Sequence, residues 1–365
     1  MHLDTKTFLQ QAQDTVLRFE NQIVTVDSHT AGEPTRLIIG DLPPIPGRTI
    51  NDKRLYISEN LDHLRLLLSR EPRGHRDMLA AIITEPVSDE SDFGIVFMDA
   101  RRYPYMCGHG TIGAITTLLE MGWLEAQDGE TVVIVDSPSG RIHARARVKR
   151  AHGRPRVESV AFQMESAFAS SLDQSLEVPG LGRLTVDVSF AGGFFVMVSA
   201  DQIGLALTPD NASELARYGM AIIEAGNQQL RVQHPTRTYI DSIDVMEFYD
   251  PAGHPQGRGK NFVVYGEGHV DRSPCGTGTC AKMALLHQRG ELAVGQTFIN
   301  EGLLGTTFEG RIVEETTVGD PSTLRLRSRQ TLSAIVPEIR GTAYLTGLHR
   351  FLVTSGDPFP EGFLI

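Results

Sequence analysis

The chain has 365 residues, three cysteines and a formal net charge of −11, from 34 Lys and Arg against 45 Asp and Glu. The length predicts two domains with ordinary core-forming composition. The acidic balance speaks against a nucleic-acid partner, and three cysteines in so long a chain are not a disulfide framework. No apolar run approaches a membrane span, and Met1-His2-Leu3-Asp4-Thr5-Lys6 lacks a signal-peptide pattern. The expectation is a soluble cytoplasmic protein in a reducing compartment.

Thr7 to Phe19 alternate polar and apolar at helical spacing and predict an appended helix, peripheral or oligomer-contacting. Asn21 to Val26 reads as a strand, Asp27 to Glu33 as a loop, and Thr35 to Ile39 as strand again. One helix is expected over Ile50 to Leu68, then strands over Asp77 to Thr84 and Phe93 to Met98. A helix from Cys107 to about Met121, closed by Gly122, has few charges on any face and should be buried on all sides. Thr131 to Val135, Ile142 to Lys149 and Val157 to Met164 read as strands, and the Pro/Gly-rich stretch Val178 to Gly182 as a domain boundary.

The second half repeats the order. Strands are expected over Leu184 to Phe190, Phe195 to Val198, Arg231 to Gln233, Ser242 to Tyr249 and Asn261 to Tyr265, with a helix over Ala212 to Asn227. Asp250 to Gly259 reads as an exposed loop. After the helix that follows Cys275, closed by Gly290, come strands over Gln296 to Asn300, Thr306 to Glu315 and Leu324 to Arg327, and strand segments over Glu338 to Thr354.

Two stretches carry the chemistry. Cys275-Gly276-Thr277-Gly278-Thr279 and Cys107-Gly108-His109-Gly110-Thr111 share the pattern Cys-Gly-x-Gly-Thr, and each opens into an apolar helix. A cysteine at a helix start lies at the positive end of the dipole, beside unpaired N–H groups, a setting that lowers a thiol pKa. The same N–H groups can hold a carboxylate. Buried cysteines are common as small core residues. The paired glycine-rich contexts favour chemistry, and their recurrence suggests a duplicated half with one cysteine each. Cys280, past the first helical turn, reads as packing, and no nearby histidine completes a metal set around Cys275 and Cys280. Gly192-Gly193 is not a dinucleotide fingerprint.

Met106-Cys107-Gly108-His109 and Asp271-Arg272-Ser273-Pro274-Cys275-Gly276-Thr277-Gly278 resemble the hallmarks of the proline racemase family, which includes 4-hydroxyproline 2-epimerases and trans-3-hydroxyproline dehydratases. The resemblance extends over nearly the whole chain. It takes in Asp27-Ser28-His29-Thr30-Ala31-Gly32-Glu33-Pro34, Glu71-Pro72-Arg73-Gly74-His75, Gly192-Gly193-Phe194-Phe195 and Val232-Gln233-His234-Pro235.

The resemblance implies an α/β (α+β) fold of two similar halves, each a mixed sheet wrapped around a buried helix, as in diaminopimelate epimerases, with the active site between them. Residues 20–181 plus 338–365 would form the half carrying Cys107, and 182–337 the half carrying Cys275. It implies Cys107 and Cys275 as the two acid–base groups, since inverting a carbon requires proton removal on one face and return on the other. Gly108, His109, Gly276 and Thr277 would supply donors to the substrate carboxylate, and Asp271 would meet the amine. On the residues alone, Asp271 reads equally as a loop-capping aspartate. His29, His75 and His234 are given structural roles.

No cofactor and no metal is implied. The partner is a small amino acid, proline or hydroxyproline, with a homodimer as candidate assembly. Cys275 stands where the dehydratases typically have threonine, which favours epimerase or racemase. Gly110 is as in many 4-hydroxyproline epimerases. Leu79 and Tyr265 stand where some proline racemases have phenylalanine. The expected reaction is inversion of trans-4-hydroxy-L-proline to cis-4-hydroxy-D-proline. The alternatives are a proline racemase, a trans-3-hydroxy-L-proline dehydratase, an amino-acid-binding protein and a redox dithiol protein.

Overall fold

A computed structural model describes residues 22–40, 42–266, 268–319 and 331–365. The expected helix over Thr7 to Phe19 and the strand over Leu324 to Arg327 lie outside the described residues. None of the described helices is long and apolar enough to cross a membrane.

Two series of strands have the same order of pairings. In the first, Ala343–Leu352 pairs antiparallel with Gln22–Thr30, which pairs antiparallel with Glu33–Ile38. Leu79–Thr84 follows in parallel, Phe93–Met98 antiparallel, and Gly129–Ser137 in parallel. Gly140–Ala151 and Arg154–Gln163 complete it, both antiparallel. In the second, Phe168–Val178 pairs antiparallel with Gly182–Phe190, and that strand with Phe194–Ser199. Ile243–Asp250 follows in parallel, Arg258–Tyr265 antiparallel, and Thr297–Glu301 in parallel. Thr307–Val318 and Leu332–Gly341 complete it, both antiparallel. The series join where Val160 to Gln163 pair with Glu338 to Gly341.

A parallel step needs a long crossover, and here helices supply it. The first crossover of each half carries α1 (Ile50–Asn60) and α2 (Asp62–Ser69), or α4 (Ala212–Gln229). The second carries α3 (Gly108–Glu120) or α5 (Gly276–Gln288). Every residue of α3 from Gly110 to Leu119 is buried, and so is every residue of α5 from Gly278 to Leu286. Ile112, Ile115 and Leu119 of α3 share one core with Cys280, Met283 and Leu285 of α5. Each helix ends on a left-handed glycine, Gly122 at φ +73° and Gly290 at φ +74°. The N–H groups of Trp123 and Glu291 close back onto the carbonyls of Leu118 and Leu286.

Several local expectations change. The helix expected over Ile50 to Leu68 is two helices, broken at Leu61, whose φ of −127° is not helical. Thr49 and Asp52 form a capping box that fixes the first start. Asp27 to Glu33 is not an open loop: the strand runs to Thr30, turns at Ala31 and Gly32, and resumes at Glu33. Arg231 to Gln233 lies outside the strands.

The stretch Val178 to Gly182 is a hairpin turn, with Val178 pairing with Gly182. Phe168 and Leu176 pack with Val186 and Phe194 in the second half's own core. The strand Phe168–Val178 escapes a pattern reading because register shifts after Ala169 and Ser171 break its alternation. We propose a division at 22–163 with 343–365, and 168–341, from the repeated pairing order.

Candidate active site

Cys107 and Cys275 are the N-cap residues of α3 and α5. Each sulfur takes the place of an N-cap oxygen. Cys107 Sγ accepts from the Gly110 N–H at 3.4 Å, and Cys275 Sγ from the Gly278 N–H at 3.3 Å. Cys275 sits at φ +58° and ψ 114°, a strained conformation for a side-chain-bearing residue, costing on the order of 1–3 kcal/mol. Ser273 helps hold it, with its Oγ accepting from the Cys275 N–H at 3.1 Å. Cys107 is extended, at φ −145°.

The two helix starts face each other at close range. A Cβ on Gly276 would come within 3.4 Å of Gly108 Cα and 2.9 Å of Ile339 Cδ1. Side chains at these positions would push the helix starts apart.

One cavity of about 140 Å³ lies at this meeting point. Cys107, Gly108 and His109 line one side, and Cys275, Gly276 and Thr277 the other. Asp271, Leu79 and Tyr265 complete the set expected from the sequence, and all nine residues line this cavity. All three cysteines are free thiols.

Burial pushes both cavity thiols up from the ordinary cysteine range. The Asp271 carboxylate adds to the rise at both, and the N–H groups of Gly110 and Gly278 oppose it. Burial thus opposes the lowering expected at a helix start. The helix donors are in place, but loss of water outweighs them. The flanking residues are arranged alike. His109 brings a ring nitrogen to 3.4 Å from Cys107 Sγ, and Thr277 its hydroxyl to 3.5 Å from Cys275 Sγ. Burial lowers the His109 pKa and favours a neutral ring.

Asp271 Oδ1 accepts from the Ser273 N–H at 2.8 Å and the Ser273 hydroxyl at 2.7 Å. It is therefore a loop-capping aspartate that also lines the cavity. Leu79 packs on Gly110: a Cβ there would come 2.6 Å from Leu79 Cδ2. Gly110 itself is absent from the cavity wall and acts by making room for Leu79. Tyr265 stands edge-on to His269, with ring centroids 5.4 Å apart.

The histidines assigned structural roles lie away from the cavity lining. His29 Nδ1 accepts from the Gly32 N–H at 3.2 Å, and His75 Nδ1 from the Asp77 N–H at 3.3 Å. His234 Nδ1 accepts from the Arg237 N–H at 3.0 Å, and burial pushes its pKa down to about 4. Cys280 is fully buried among Met283, Leu285 and their neighbours. Cys280→Ala should keep most of the activity in a turnover assay and lose on the order of 1 kcal/mol in a denaturant melt.

Glu33, Asp77, Asp99, Arg76, Arg102 and His269 also line the cavity and were not singled out from the sequence. Glu33 lay within a stretch already noted for its resemblance. The others carry no chemical signal of their own in the sequence, and the fold brings them to the cleft. Arg272 pairs with Asp77 at 2.8 Å.

A family model described as proline racemase matches residues 25–364. The chain is 42% identical to proline racemase of Clostridioides difficile over 349 residues, covering 96% of this chain and all of that protein. It is 37% identical to 4-hydroxyproline 2-epimerase of Streptosporangium roseum over the same shares. A solved hydroxyproline epimerase from Agrobacterium vitis, with bound trans-4-hydroxy-L-proline, superposes with a TM-score of 0.81 at 29% identity, covering 95% of this chain and 97% of that one. The two-half α/β fold and the match along nearly the whole chain agree: this protein belongs to the proline racemase family and is an isomerase of the racemase and epimerase class.

Proposed function

We propose that this protein inverts Cα of a proline-type amino acid, trans-4-hydroxy-L-proline to cis-4-hydroxy-D-proline, by proton transfer between two thiols without a cofactor. The observation that supports it best is the pair of cysteines capping two opposed buried helices and lining one cavity with Asp271. One cysteine acts as thiolate and takes the Cα proton; the other, as thiol, returns a proton to the opposite face. The roles exchange for the reverse direction. The N–H groups at Gly108, His109, Gly276 and Thr277 are donors for the substrate carboxylate, where negative charge builds as the proton leaves. The Asp271 carboxylate pairs with the ring ammonium. That cation also offsets the negative field that raises both thiols, so substrate binding itself favours a thiolate.

Tyr265 in the cavity wall supports the hydroxylated substrate. Its hydroxyl is a partner for a ring hydroxyl, and sites built around such a bond discriminate strongly. A second reading, L-proline as main substrate, is favoured by the 42% identity to a proline racemase. Incubation with L-proline, trans-4-hydroxy-L-proline and trans-3-hydroxy-L-proline in D₂O, followed by NMR, separates them. The expected result is Cα deuteration and inversion, with a higher kcat/KM for trans-4-hydroxy-L-proline than for L-proline. The opposite order selects the proline reading. Pyrroline formation from the 3-hydroxy compound as main activity makes the protein a dehydratase. Binding without Cα exchange makes it a binding protein.

A further inference from the structure

The cavity holds a carboxyl group that the proposed chemistry does not use. Glu33 lines it and is 1% exposed. It opens the strand after the turn at Ala31 and Gly32, both at positive φ. The turn is packed in place: a Cβ on Gly32 would come 2.8 Å from Leu304 Cδ1, and the Thr30 hydroxyl donates to the His109 carbonyl at 2.9 Å. Glu33 Oε2 accepts from the Arg272 N–H at 2.8 Å. Oε1 is buried and has no hydrogen-bond partner among the described residues.

Glu33 shares its cation with Asp77. The Arg272 guanidinium lies 3.7 Å from Glu33 but 2.8 Å from Asp77. Asp271, which lines the same cavity, adds another carboxylate. A buried carboxyl that shares its cation with a neighbour and has another carboxylate nearby holds its proton more tightly. Burial first, and then Asp271, push Glu33 well above the ordinary carboxylate range.

We propose that Glu33 and Asp271 form a two-carboxyl amine site that holds one proton in the empty cleft and releases it when a cationic amine binds. Asp271 lies at the contact and Glu33 behind it supplies the second negative charge. The proton leaves from the Glu33 carboxyl to solvent, and the ammonium replaces its positive charge. This deepens the proposed function and rests on its placement of the amine at Asp271. The charged and titratable groups around Glu33 are Asp271 and Arg272 before α5, Asp77 before the strand Leu79–Thr84, Tyr265 at the end of its strand, and Cys107 at the start of α3. Because the proton is released, affinity for a cationic amine rises with pH until the raised Glu33 pKa of the empty cleft is passed, and then levels off.

Calorimetry tests this in the Cys107→Ser/Cys275→Ser protein, in which turnover and thiol titration are removed. Binding is measured near neutral pH in two buffers of different ionisation enthalpy. L-Proline, a cationic amine, should release a proton, approaching about one per site at the optimum pH. Pyrrole-2-carboxylate, which carries no ammonium, should release none. Adding Glu33→Gln should abolish the release and flatten the pH dependence of Kd for L-proline. Equal release from both ligands, no release with L-proline, or unchanged release in Glu33→Gln overturns the proposal. Should the glutamine variant not fold, the pH dependence of Kd for the two ligands in the parent decides: parallel profiles overturn it. Wild-type turnover of proline-type substrates without proton release on binding sinks the carboxyl pair and leaves the function standing. Absence of both binding and turnover sinks both.

Discussion

Cys275→Ser and Cys107→Ser are each expected to reduce Cα inversion by on the order of 10²–10⁴-fold, the usual scale for a positioned acid–base group. A serine hydroxyl holds its proton far more tightly than a thiol, so the variant side chain can neither take the Cα proton nor return it at a useful rate. In the proposed two-thiol reaction both sulfurs are required, because removal and return would occur on opposite faces of a planar intermediate. The double variant should be little worse than either single one, as for groups that act as a unit. The helix caps should survive, since serine is itself a favoured N-cap residue, and circular dichroism should match the wild type. Iodoacetamide should alkylate Cys107 or Cys275 and inactivate the enzyme, with pyrrole-2-carboxylate protecting it. The rate of alkylation should climb with pH, because burial holds both thiols above the ordinary range and the thiolate is the reactive form. Near-wild-type inversion by Cys275→Ser would mean that a different group faces Cys107.

Lys282→Met costs about 3–5 kcal/mol of stability, the largest loss expected from a single change outside the cavity. Lys282 lies on α5 and is fully buried, with its Nζ 3.2 Å from Glu247 Oε1, also fully buried. The ammonium stands 4.1 Å from the centre of the Tyr249 ring, which adds a cation–π contact. Removing the lysine charge strands a carboxylate in the core. Glu247→Gln leaves the ammonium in the same position and should be comparably damaging. Replacing both with apolar residues of similar volume should recover most of the loss, because neither charge then remains to be desolvated. Urea denaturation of the three variants checks this, and a double variant no more stable than the singles would show that the pair contributes through shape and not charge. Function is tied to the pair by position. A Cβ on Gly278 would lie 2.7 Å from Glu247 Oε2, so the carboxylate packs directly under the N–H that caps Cys275.

The two halves differ at this point. Beneath Gly110, whose N–H donates to Cys107, lie the apolar Leu79 and Phe97. Beneath Gly278 lies an ion pair. The duplicated backbone therefore carries two thiols in unlike surroundings.

The sequence by itself determined the two helix starts and the residues around them. Cys-Gly-x-Gly-Thr before an apolar run is a local signal: the cap, the glycines and the buried helix follow from a few consecutive residues, so Cys107, Cys275 and their neighbours could be named without coordinates. Asp271 was named through the resemblance of the stretch around Cys275; on the residues alone it read equally as a loop cap. The alternating strands and the closing glycines, Gly122 and Gly290, were local too.

Other features depended on segments far apart in sequence. Whether Val178 to Gly182 was a linker or a hairpin was settled only by the pairing of Phe168–Val178 with Gly182–Phe190, and the proposed division of the halves follows from it. The break at Leu61 was hidden because apolar spacing continues across it. Glu33 was visible in its motif, but its chemistry was not. A glutamate acquires a raised proton affinity only when burial and another carboxylate act on it, and Asp271 and Arg272 come from a segment more than 200 residues away. The direction of the thiol shifts was likewise tertiary: a helix start favours the thiolate locally, but burial between segments far apart in sequence raises both thiols.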